Sequence, residues 1–280
     1  MIAQFEEKMY ESYFNTELAA LSDVYFPIGQ AMEGLLGFDS AALSSNPILW
    51  HHFNILNPYS GISSREFERI LNIELDSLHQ IQANILFQYK RPEYIKKRNG
   101  KEWRHWNTPY YRYDIYKEQH DTLVKIHNEL GNSVLVLYAS PAIHLWDDLI
   151  DKHRNNQIIE FSNFQKCNQL NGHYKNTYLS AGNHSIACSD PREIEKINLK
   201  NELEAMRRNQ NEFDVSNRDF IIESSKKIIE IAYQHPYLGK ILKNVIEYDS
   251  ERFINYPLIN SFFMMTVLRR IFGIQWVIKL

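Results

Sequence analysis

Ile85-Leu86-Phe87-Gln88-Tyr89-Lys90 decides how the chain is read. Three apolar residues, then polar and aromatic ones in alternation, stopped by Pro92, predict a buried strand with a polar end. Side chains two apart share a strand face, so Gln88 and Lys90 point one way and Phe87 and Tyr89 the other. Upstream, Phe67, Ile70, Leu71, Leu75 and Leu78 predict an amphipathic helix over 63–83, with Ser63 or Ser64 as its cap. Residues 4–21 carry Phe5, Met9, Tyr13, Phe14 and Leu18 at helical spacing, and Phe38 to Leu43, after Gly37, reads as a short strand. Downstream, a helix is expected at about 115–130, closed by Gly131, before a second buried strand over Val134–Tyr138.

After residue 190 the texture changes. Asp190-Pro191-Arg192-Glu193 predicts a helix start, Ser216 opens another helix, and two more fill 237–250 and 256–277. This order predicts an α/β or α+β core over residues 1–188, followed by a helical accessory or interface region over 189–280.

Composition narrows the function classes. The 280 residues hold 31 Lys+Arg and 34 Asp+Glu, with 44% hydrophobic and 23% charged residues, enough apolar material for a real core. Gly is scarce and neither GxxxxGK[ST] nor GxGxxG occurs, which argues against Gly-rich nucleotide loops. Cys167 and Cys188 are the only cysteines, so a disulfide scaffold or a Cys-based zinc ribbon is excluded. The first residues have no basic region before an apolar run, and Arg269 and Arg270 interrupt the most apolar stretch, Leu258 to Leu280. A cytoplasmic protein without a membrane segment is expected.

Asp39, Gln88 and Lys90 are the residues that can carry chemistry. A carboxylate, a side-chain carbonyl and a backbone carbonyl are hard oxygen ligands suited to Mg²⁺ or Mn²⁺. Such a metal activates water and neutralises phosphodiester charge, while a nearby ammonium orients or polarises the nucleophile and the phosphate. The plain alternatives are a turn residue at Asp39 and a solvated strand end at Lys90.

The succession of a helix, Asp39 on a strand, Gln88-x-Lys90 on the next strand, a helix and a further strand resembles the PD-(D/E)XK restriction-endonuclease-like nucleases. The resemblance covers about residues 5–140, and it carries Gln88 where Asp or Glu is usual, as in the Gln-x-Lys form of Mrr-like restriction nucleases. It implies a restriction-endonuclease-like core, Mg²⁺ or Mn²⁺ as cofactor, DNA as substrate, and service in restriction or anti-phage defence. Asp39, Gln88 and Glu33 would be metal ligands, Lys90 catalytic, Glu17 an assisting acid from the first helix, and Gln119 a residue near the substrate. The interval from Asp39 to Gln88 is long for the family, so the helix at 63–83 would be an insertion. A nuclease-like fold that binds DNA or scaffolds a larger complex without catalysis is the other reading, and Gln88 favours it.

Residues 90–117 hold nine Lys/Arg against three acids, which leaves −9 on the rest of a chain whose net charge is −3. Arg91, Lys96, Lys97, Arg98, Lys101 and Arg104 are the candidate nucleic-acid contacts. Trp103, Trp106, Tyr110, Tyr111, Tyr113 and Tyr116 interleave them and can stack on bases or fill a core. A solvated basic loop is the alternative. The 11 His lack HExxH or zinc-finger spacing, and no nucleophile-elbow context surrounds Ser140. Phe262-Phe263-Met264-Met265 with Val267 and Leu268 offers either core packing or an interface for a second copy or a partner protein.

Overall fold

The computed structural model describes residues 1–21, 24–25, 64–180, 184–206, 215–250 and 253–280. They fall into two compact units. One takes residues up to 25, 83–206 and 273–279; the other takes 64–82, most of 215–272, and Leu280.

The first unit is mixed α/β. One sheet runs in the order β1 (Val24–Tyr25), β10 (Ile274–Lys279), β2 (Ala83–Tyr89), β5 (Val134–Pro141), β6 (Ser162–Lys166). Only β2 and β5 are parallel, with Gln88 opposite Tyr138, and α4 (Lys117–Leu130) lies on the crossover between them. Both strands are buried on two faces, which is why they read as near-continuous apolar runs. On one face α1 (Glu7–Leu21) sets Phe14 edge-on against Phe87 and Tyr89, with ring centroids 5.2 and 5.5 Å apart. On the other, Tyr138 meets His120 of α4. Gly131 closes α4 at φ +56°, as its position predicts.

The second sheet is antiparallel throughout, in the order β3 (Glu93–Ile95), β4 (Tyr110–Asp114), β7 (Lys175–Tyr178), β8 (His184–Cys188), β9 (Arg192–Glu195). The aromatic segment after Lys90 therefore builds two strands and the short α3 (Trp103–Trp106). Helices α5 (Trp146–Arg154) and α6 (Leu199–Ala205) complete the unit.

Two expectations change. Asp190-Pro191 starts no helix; Ser189–Pro191 is the turn joining β8 to β9, where proline's fixed φ and the absent N–H are equally at home. The expected helix over 256–277 is α9 (Pro257–Phe272) followed by a strand. Gly273 at φ +68° ends the helix, and the β-branched and aromatic residues after it suit β10. The C-terminal part is accordingly not all helical. Strand β10 pairs with β2 inside the first sheet, and the helical unit draws on 64–82, so the units do not divide at 188/189.

In the helical unit, α2 (Ser64–Ser77) packs with α7 (Asn217–Ala232) and α9, and α8 (Leu238–Ser250) packs with α7 and α9. The Glu68 carboxylate of α2 accepts the Leu258 and Ile259 amides at 3.1 and 3.0 Å, satisfying the open start of α9. Ser216 caps α7 by accepting the Asp219 amide at 3.1 Å, as expected. Phe262, Met265, Val267 and Leu268 are buried, so the apolar run of α9 mostly serves the core. Among the described residues, no helix is long and apolar enough to cross a membrane.

Candidate active site

Lys90 follows β2 directly and is buried. Its amide donates to Ala139 O at 2.9 Å, and its carbonyl accepts Ser140 Oγ at 2.9 Å, so the backbone is pinned to β5. Its Nζ donates to Gln119 Oε1 at 3.3 Å and lies 5.0 and 5.7 Å from the ring centroids of Tyr116 and Tyr138. Lys90 and Gln119, each a candidate site residue, thus come together where the motif strand meets the first turn of α4. Burial lowers the Lys90 pKa, and the charges of Glu7 and Asp114 oppose that shift.

Among the described residues, the acids near Lys90 are Glu7 and Asp114. Glu7 begins α1, and burial raises its pKa against the charge of Lys90 and a backbone hydrogen bond from Arg91. Asp114 ends β4 and holds Lys175 at 2.7 Å. His120, adjacent to Gln119, is also buried here; its Nδ1 lies 3.1 Å from Tyr138 Oη and its Nε2 3.1 Å from Asn171 Oδ1. The Asn171 carbonyl can only accept, so Nε2 donates and Nδ1 accepts the tyrosine proton. Burial first, and the Lys90 charge among the lesser causes, lower the His120 pKa and favour this neutral form. Nothing in the spacing of Glu7 or Asp114 singles them out. The pairing of Ile2 with Glu93 and the grip of Arg91 on Glu6 and the Ala3 carbonyl bring the first helix to this strand end.

Glu17 stands ten residues along α1 from Glu7, roughly 15 Å at the helical rise. Its two oxygens accept the Ile158 and Ile159 amides at 2.6 and 3.2 Å, so it anchors the turn after α5 instead of facing Lys90. Asp39 and Glu33 lie outside the described residues.

Gln88 shares the strand face of Lys90 and is buried. Its Nε2 sits 3.3 and 3.4 Å from the Tyr89 and Gly273 carbonyls, which orients the amide and leaves Oε1 without a partner among the described residues. A buried, unpaired amide oxygen is a fitting hard ligand for Mg²⁺ or Mn²⁺. Among the described residues no group of three or more His, Cys, Asp or Glu side chains is placed to hold a metal.

The basic segment divides by role. Arg91 is occupied by Glu6 and Ala3, and Arg112 by Glu93 and Glu102 at 2.6 and 3.4 Å. Lys96, Lys97, Arg98, Lys101 and Arg104 are exposed, and none forms an ion pair among the described residues. Of the aromatic residues, Trp106, Tyr110, Tyr111 and Tyr113 are buried, whereas Tyr116 is exposed beside Lys90. Neutralising Lys96, Lys97, Arg98 and Lys101 together is expected to weaken DNA binding. It should also flatten the log–log salt dependence by about 0.9 for each phosphate that the protein no longer neutralises. A salt titration with the same slope as the parent protein would assign these charges to solvent alone. No family model, no curated protein and no solved structure matches the chain.

Proposed function

We propose that the chain is a metal-dependent deoxyribonuclease of restriction-endonuclease-like architecture, hydrolysing DNA phosphodiester bonds at Lys90, Gln88 and Asp39. The supporting observation is the buried Lys90 ammonium held on Gln119, on the same strand face as the unpaired Gln88 amide oxygen. Strand β2 runs parallel to β5 across a helical crossover, the succession on which the resemblance rests. Lys90 would donate to an oxygen of the scissile phosphate and stabilise charge that develops in the transition state. Gln119 fixes the ammonium before substrate arrives, and the Tyr116 and Tyr138 rings beside it keep its surroundings low in dielectric. A metal held by Asp39, Gln88 Oε1 and Glu33 would supply polarised water and positive charge. The exposed basic side chains of 96–104 would hold the DNA backbone.

The second reading is a DNA-binding or scaffold subunit without catalysis. It draws on Gln88, which contributes no negative charge where the family uses a carboxylate. The substitution Gln88→Glu separates the two. For a working site it is expected to tighten Mn²⁺ binding in calorimetry and to preserve cleavage, because it adds an anionic ligand. Unchanged Mn²⁺ affinity in a folded variant would remove position 88 from the metal site.

A further inference from the structure

Helix α8 buries Leu242 and Ile246 in its unit, yet it carries a second apolar line. Ile241, Val245 and Tyr248 are 50%, 38% and 78% exposed, and Tyr237, just before the helix, is 74% exposed. At about 100° per residue these four positions fall within a sector of roughly 80°, and they extend for roughly 17 Å along the axis. One helix carrying two apolar faces, only one of them covered, marks an interaction surface.

The order of residues along this line specifies the occupant. Positions 237 and 248, 241 and 245, and 240 and 247 lie nearly symmetrically about position 243. A two-fold axis there, perpendicular to the helix, would set Ile241 of one copy against Val245 of the other and Tyr237 against Tyr248. Lys240 and Glu247 lie on the same flank of the line, toward its opposite ends. An antiparallel pair therefore brings each Lys240 across from the other copy's Glu247, which within its own helix also reaches Lys243 at 3.6 Å. A parallel pair would place like charges at the same level. We propose that α8 forms an isologous interface with a second copy of this chain, antiparallel and centred near residue 243.

A single helix pair with four apolar anchors a side lies at the small end of specific interfaces, below about 1,200 Å² in total, so the association is reversible and concentration-dependent. The test is sedimentation equilibrium of the full chain over a concentration series. The parent protein should dimerise. Ile241→Glu should raise the dimer Kd about tenfold or more, because it places a charge on a central anchor. Lys240→Glu and Glu247→Lys should each weaken the dimer, and the double exchange should restore it, since both charges are reversed together. These side chains are exposed, so circular dichroism melting curves recorded well below the dimer Kd should match the parent. A parent protein that stays monomeric up to about 1 mM overturns the proposal. So does a dimer that Ile241→Glu leaves unchanged, which would place the contact elsewhere. Loss of association in both single charge variants without rescue in the double variant overturns the antiparallel register.

Discussion

Replacing Lys90 by alanine is expected to cut DNA cleavage about 10²–10³-fold, roughly 3–4 kcal/mol of transition-state stabilisation, while leaving metal affinity nearly intact. An ammonium is no metal ligand, so its loss separates catalysis from metal binding. The effect should appear in the single-turnover rate more than in DNA affinity, because the proposed hydrogen bond strengthens as charge develops on the phosphate. Burial makes the effect large: Lys90 is held against Gln119, and its charge acts in a medium less polar than water. Truncation also releases Glu7 and Asp114 from a positive neighbour, so folding of the variant must be checked by thermal melting. A folded Lys90→Ala protein that cleaves at the parent rate would eliminate Lys90 from the mechanism.

The second large effect concerns stability. Trp276, fully buried at the centre of β10, pairs in register with Leu86 and donates its indole N–H to Asn84 Oδ1 at 2.9 Å. Trp276→Ala should destabilise the α/β unit by about 3–5 kcal/mol through the cavity it leaves. Loss of the indole hydrogen bond to Asn84 adds to that cost. Set against a typical domain stability of about 5–15 kcal/mol, the variant should unfold at much lower urea concentration. Trp276→Phe keeps most of the packing and should lose less. A urea midpoint unchanged by Trp276→Ala would place this residue at the surface and contradict the pairing of β10 with β2.

The same residues explain what the sequence makes legible. Strands β2 and β5 are readable because they are buried on both faces, and α4 because Gly131 ends a periodic run. Strand β10 is not, since Leu258 to Leu280 is apolar almost throughout and its pattern continues the helix; the punctuation is a single residue, Gly273. Asp190-Pro191 misleads for a related reason, because proline suits both a helix start and a hairpin turn, and only pairing of β8 with β9 decides. In the candidate site, the shared strand face of Gln88 and Lys90 is legible from alternation, whereas Gln119 is singled out only by the resemblance. Glu7 is not legible, because its approach to Lys90 depends on contacts between the N-terminus and β3 that are distant in sequence. Glu17 looks equally apt in sequence, but two backbone amides already occupy its carboxylate.

The most direct test is cleavage of DNA by the purified full chain with Mg²⁺, with Mn²⁺ and with a chelator. The proposed nuclease should cut when either metal is present and fall silent when both are removed. A folded protein that binds DNA but cuts nothing under any of these conditions would contradict the account and leave the binding-module reading in its place.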